Sequence, residues 1–145
     1  MPAPLLELSE SIDAEIKRLC AIGDALAAQG EHAAAVAEYD SAWQLVPEPK
    51  NQWEASTWIL AAIGDACFLI DKFKSARQAL EYAMVCPGAI GNPFIHLRLG
   101  QVLFEAGELD LSADELIRAY MGAGEDIFLN DDPKYLTFLK TRALI

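Results

Sequence analysis

The side chains able to do covalent or metal chemistry are few in this 145-residue chain, and they stand apart. His32 and His96 are far from each other and have no acid at ligand spacing, so neither begins a metal site. The cysteines, Cys20, Cys67 and Cys86, are odd in number, lack metal-ligand spacing and lie among apolar residues. They are expected to be buried free thiols, which points to a reducing cytoplasm. Cys20 has no histidine or cation beside it to make a thiolate nucleophile. The stretch "GAIGNP" (88–93) lacks a preceding strand and a lysine, so it is no phosphate loop. Asp114 and Glu115 are adjacent on an expected helix and point apart. No catalytic set, metal or cofactor is expected, and the chain reads as a binding protein rather than an enzyme.

Charge narrows what it could bind. The formal net charge is -11, and a protein without clustered Lys and Arg is a poor ligand for phosphates, so nucleic acid is set aside in favour of a basic protein partner. Nine acids lie between Glu105 and Asp132 (Glu105, Glu108, Asp110, Asp114, Glu115, Glu125, Asp126, Asp131, Asp132) against the single base Arg118. This stretch is either a solvated acidic face or a docking surface, for which Glu108, Asp110, Asp114, Glu115, Glu125 and Asp126 are the candidates. Hydrophobic residues make up 53% of the chain and mean hydropathy is +0.17, a richness that predicts extensive helix packing or an apolar surface awaiting a partner. The longest apolar stretch, "WILAAIGDACFLI", is too short for a bilayer span and carries Asp65 in its middle. The opening "MPAPLLELSES" has no basic region before its apolar run and does not read as a secretory signal.

The elements that must position these residues are helices. Ala and Leu recur at helical spacing, Gly and Pro fall at punctuation points, and nothing alternates as a strand does. The pattern predicts helices over about 11–29 and 31–46, a break at "VPEPKNQ", helices from a cap at Asn51 to about Ile70 and over 72–85, and a second break at "CPGAIGNP". Asn51 with Glu54 suggests a capping box, and Asn92 before Pro93 a cap followed by a first-turn proline. A third pair follows, to about Ala106 and then to about Met121, with a terminal helix carrying Tyr135, Leu136 and Leu139.

The pentapeptide "AIGDA" occurs at 21–25 and again at 62–66, and its surroundings repeat with it. Aligned on Gly23, Gly64 and Gly100, the residue seven later is turn-compatible (Gly30, Asp71, Gly107). Twelve later it is small (Ala35, Ala76, Ser112), sixteen later large (Tyr39, Leu80, Leu116), and nineteen later always alanine (Ala42, Ala83, Ala119). Two antiparallel helices cross closely only where small residues let the backbones approach, with large ones filling the space alongside.

This pattern resembles the tetratricopeptide repeat (TPR) family, whose signature is Trp-x2-Leu-Gly-x2-Tyr followed by Ala, Phe, Ala and Pro at a period of about 34 residues. The final proline is matched by Pro47 and, one residue early, Pro87. Two features depart from the family. The glycines are 41 and 36 residues apart, and no repeat keeps the tryptophan at its position. The resemblance implies one all-α domain over 1–145: repeats at 16–50, 51–90 and 92–122, stacked as a short right-handed solenoid, with a capping segment at 124–145. It also implies a concave groove lined by the first helix of each pair. Carried onto this chain, groove positions are Lys17, Cys20, Asp24 and Ala28, then Trp58, Ala61, Asp65, Phe68 and Leu69, then Phe94, Leu97, Gln101, Phe104 and Glu105. The aromatics there are either exposed anchors or, if the long joints shift them, core. The family's carboxylate clamp needs Lys and Asn where this chain has Cys20/Asp24, Ala61/Asp65 and Leu97/Gln101, so tail-carboxylate binding is rejected.

The stretches "WILAAIGDACF", "CPGAIGNPFIHLRLGQ", "RAYMGAGEDIF" and "DDPKYLTFLK" are similar to small bacterial TPR proteins that accompany polymorphic or Rhs-type toxins as immunity proteins. This implies a protein that binds and neutralises a cognate, basic toxin domain. A TPR secretion chaperone holding an apolar export substrate, and a self-associating scaffold, are the alternatives.

Overall fold

The computed structural model describes residues 8–145, and among these the structure is all-α: seven α-helices and no strand. The helices are α1 (Glu10–Ala28), α2 (His32–Leu45), α3 (Glu54–Leu69), α4 (Phe73–Ala83), α5 (Pro93–Glu105), α6 (Leu109–Ala123) and α7 (Lys134–Arg142). Short 3-10 turns lie at Lys50–Gln52 and Glu125–Phe128. None of the helices is long and apolar enough to cross a membrane.

Three hairpins, α1–α2, α3–α4 and α5–α6, close through the same turn. Each first helix ends in a Schellman motif, with a left-handed residue after its cap. Gly30 (φ 80), Asp71 (φ 60) and Gly107 (φ 77) take that conformation. The next amide, of Glu31, Lys72 or Glu108, donates back to the carbonyl of Leu26, Cys67 or Leu103 at 2.8–3.0 Å. The chain reverses in three residues, which lays the second helix directly against the first.

The aligned glycines sit where that reversal brings the helices together. A Cβ at Gly23 would come within 2.6 Å of the Tyr39 ring, one at Gly64 within 2.5 Å of Leu80, and one at Gly100 within 2.7 Å of Leu116. The large residue sixteen positions on therefore lies over the glycine itself, rather than beside it as the spacing alone suggested. The small residues complete the seam: Ala35, Ala76, Ser112, Ala42, Ala83 and Ala119 are all fully buried, and the Ser112 hydroxyl donates to the Gly100 carbonyl at 2.7 Å.

Successive hairpins meet through α2 on α3 and α4 on α5, and α3 also touches α5. The joints are tied by side chains. The Lys50 ammonium donates to the carbonyls of Trp43 and Val46 at 2.7 and 2.8 Å, closing the end of α2, while the Trp53 indole donates to Pro47 O and the Ser56 hydroxyl to Lys50 O. These bonds draw 50–52 into a 3-10 turn, so α3 begins at Glu54 behind Trp53, and the capping box expected at Asn51 does not form. Asn92 does cap α5, accepting from Phe94 N and Ile95 N. The second joint is held by Thr57 donating to Pro87 O and by the Gly91 amide donating to His96 Nε2. That backbone donor leaves the ring proton on Nδ1, which faces Glu115 at 2.5 Å.

The apolar interior continues through α1 to α5 and then into a second cluster, in which Leu97, Leu116 and Ala119 meet Phe128, Tyr135 and Leu139. Gly64→Ala is expected to lower stability by about 1–3 kcal/mol in urea denaturation, although alanine is the better helix former by about 1 kcal/mol. In a Leu80→Ala background the same change should cause no such loss, because the clashing side chain is gone.

Candidate functional site

The residues placed on the groove by sequence fall on one face of the first helices but meet different fates along it. On α1, Lys17 is exposed and pairs with Asp13 at 2.8 Å. Asp24 is exposed yet accepts the Tyr39 hydroxyl at 2.6 Å, so part of its acceptor capacity is used within the first hairpin. Cys20 is buried rather than groove-lining, and burial, aided by the Asp24 charge, pushes its thiol up to about 11. Burial also raises Cys67 and Cys86, leaving three protonated thiols that are poor nucleophiles at neutral pH.

At the centre lies a buried cation that sequence reasoning passed over. The Arg98 side chain is only 9% exposed and donates to Asp65 at 2.8 Å, to Gln101 Oε1 at 2.7 Å and to Asp131 at 3.0 Å. The Gln101 amide closes the network on the other Asp131 oxygen at 3.0 Å. The Phe68 ring lies 4.7 Å and the Phe94 ring 5.2 Å from the guanidinium carbon. Gln101 and Leu97 are therefore buried parts of the floor, not partner contacts, and Asp65 is occupied by an internal ion pair. The signal was legible in "FIHLRLGQVLF": a lone charge in an apolar helix needs a buried partner.

Towards the end of α5, the C-terminal segment lies over the expected groove. Tyr135 packs on Phe68 and Phe104, and Phe138 on Phe104. Glu105 accepts the Lys134 ammonium at 2.6 Å and the Tyr135 hydroxyl at 2.7 Å. Burial works to raise the Glu105 carboxyl, but these hydrogen bonds outweigh it and hold its pKa below the ordinary glutamate value. Phe104 and Glu105 thus anchor the chain's own last helix, correcting their reading as open groove positions.

The acidic stretch is also largely spoken for. Asp110 pairs with Arg142, Glu125 with Lys140 and Asp114 with Arg118, while Glu115 accepts a hydrogen bond from His96 Nδ1. Of the expected docking face, Glu108 and Asp126 have no ion pair among the described residues. Most of these acids serve as partners for the protein's own cations, including all three pairs made by the cations of α7.

What stays open is the other end of the same face. Trp58 is 40% and Phe94 37% exposed, and together with Thr57, Ala61 and Ile95 they line a pocket of about 280 Å³ between the starts of α3 and α5. At the far ends of those helices a second, open cleft of about 570 Å³ lies between Phe68, Asp71 and the segment 130–135. No group of three or more His, Cys, Asp or Glu among the described residues is arranged to hold a metal. No family model matches the chain, and no curated protein matches it at a significant level.

Arg98→Ala leaves Asp65 and Asp131 without their cation and is expected to destabilise the fold by about 3–5 kcal/mol in chemical denaturation. The depressed Glu105 carboxyl stabilises the folded state fully above the ordinary glutamate value, about 4.3, and loses that contribution as pH falls through its lower folded value. In thermal melts across pH, the stability advantage of wild type over Glu105→Gln should hold near neutrality and shrink below about pH 4.

Proposed function

We propose that this chain is a non-catalytic protein-binding module of the TPR type, with three stacked repeats, a C-terminal cap and a partner-binding face on its first helices. Three features support the TPR reading: the same Schellman turn, the same glycine under a large residue and the same buried small residues recur in all three hairpins. The observation that carries the function is the Trp58–Phe94 pocket. Two aromatics more than a third exposed on one apolar recess are the type of anchor that dominates interface energetics.

The partner implied by the sequence resemblance is a cognate toxin domain, which this protein would bind and neutralise in the cytoplasm of the producing cell. The net charge of -11 suits a basic toxin. The apolar character of the pocket favours a second reading, a secretion chaperone that holds an apolar export segment.

Tagged protein retained on a column in native lysate, washed at low and high salt, separates these. Capture of a basic toxin-like chain, with loss at high salt, supports neutralisation, whereas an apolar export substrate retained at high salt supports the chaperone. In either case Trp58→Ala with Phe94→Ala should weaken capture about thirtyfold or more, the effect of losing an anchor worth about 2 kcal/mol, while the circular-dichroism spectrum at the capture temperature stays that of the folded helical protein. Capture unaffected by the double substitution, or recovery of this chain alone, would overturn the reading.

A further inference from the structure

The cleft at the C-terminal ends of α3 and α5 has a chemistry of its own. Four carboxylates line it, those of Asp71, Glu105, Asp131 and Asp132. Lys134 occupies Glu105 at 2.6 Å and Arg98, from behind, occupies Asp131 at 3.0 Å. Asp71 and Asp132 have no ion pair among the described residues; Lys134, which also lines the cleft, feels both charges, but one ammonium shared with Glu105 leaves the cleft net negative. Three aromatics, Phe68, Phe73 and Tyr135, share the lining with Leu69, Asn130 and Lys134, and two of the rings already face cations: Phe68 lies 4.7 Å from the Arg98 guanidinium carbon and Tyr135 lies 5.1 Å from the Lys134 ammonium. Carboxylates beside ring faces suit an organic cation, which gains from both charge attraction and the ring quadrupoles.

The cleft and the Trp58–Phe94 pocket belong to one surface. Trp58, Ala61, Asp65 and Phe68 follow one another at helical spacing on α3, as Phe94, Arg98, Gln101 and Glu105 do on α5. Phe68 and Phe94 flank the same guanidinium, so their ring centres lie within about 10 Å of each other. From Trp58 to Phe68 the helix rises about 15 Å, a distance that an extended chain covers in about four to five residues.

We propose that the cleft seats one arginine or lysine side chain of a partner segment whose apolar side chain, about four to five residues away in extended conformation, fills the Trp58–Phe94 pocket. This rests on the reading of that face as partner-binding, and it names the chemistry by which the partner is chosen.

The test uses fluorescein-labelled decapeptides of alanine and serine carrying one leucine and one arginine, two to seven residues apart, and the same series with citrulline, a neutral isostere, for arginine. Fluorescence polarisation should show tightest binding at the separation of about four to five residues. Citrulline should weaken it at least about tenfold. Asp71→Asn with Asp132→Asn should bring arginine and citrulline peptides within about twofold of each other. The double variant keeps the fold, since asparagine tolerates a positive φ and still accepts the Lys134 amide bond that Asp132 accepts at 2.9 Å. Trp58→Ala should weaken both peptide series alike.

Equal affinity for arginine and citrulline overturns the cation seat, and the face reading survives that outcome if Trp58→Ala still abolishes binding. A citrulline loss that ignores separation overturns the single-segment geometry. No binding by any peptide overturns the proposal too, while loss of lysate capture by Trp58→Ala with Phe94→Ala would then keep the face reading alive.

Discussion

Everything in this molecule depends on how closely the two helices of each hairpin approach. A glycine on the first helix receives the side chain sixteen residues later, at Gly23/Tyr39, Gly64/Leu80 and Gly100/Leu116. The contact removes a Cβ where a large side chain must lie, and the buried alanines and Ser112 let the backbones stay close on either side. With that spacing set, α2 presents a regular surface to α3, and α4 to α5. α3 and α5 also touch and share one face, and the residue after the glycine, Asp65 or Gln101, falls on or beside it.

A buried guanidinium decides what becomes of that face. Arg98 gathers Asp65 from α3, Gln101 from α5 and Asp131 from the segment before α7, and lies within reach of the Phe68 and Phe94 rings. A charge held this far from water persists only with its acceptors filled, so the network fixes the C-terminal segment over one half of the face. Tyr135 and Phe138 then cover Phe104, and the cations of α7 reach Glu105, Glu125 and Asp110. The other half keeps its aromatic pocket open.

This changes the meaning of the protein's charge. A run of nine acids against one base looks, along the chain, like a surface prepared for a basic partner. In space it is mainly the counter-surface of the chain's own cations, and the exposed ion pairs among them contribute little to stability individually. Partner selection then rests less on the acidic helix faces than on the two recesses at opposite ends of α3 and α5, one apolar and one acidic and aromatic.

Local pattern alone determined the hairpins of this protein. Gly30, Asp71 and Gly107 mark reversals whose chemistry is complete within six residues, Asn92 and Pro93 carry their own helix start, and the glycine and alanine positions report a seam that repeats three times. Tertiary structure decided the rest. Bonds from Lys50, Trp53 and Ser56 drew the expected start of α3 at Asn51 into a 3-10 turn. Helical spacing put Asp65, Gln101, Phe104 and Glu105 on or near the right face, but which of them stayed open depended on Asp131, Tyr135 and Phe138, thirty or more residues along the chain for the contacts that matter. Spacing along a helix says which side chains share a face, because the backbone geometry is regular; it carries no record of what later element lies over them, because that is set by contacts formed only once the whole chain has packed.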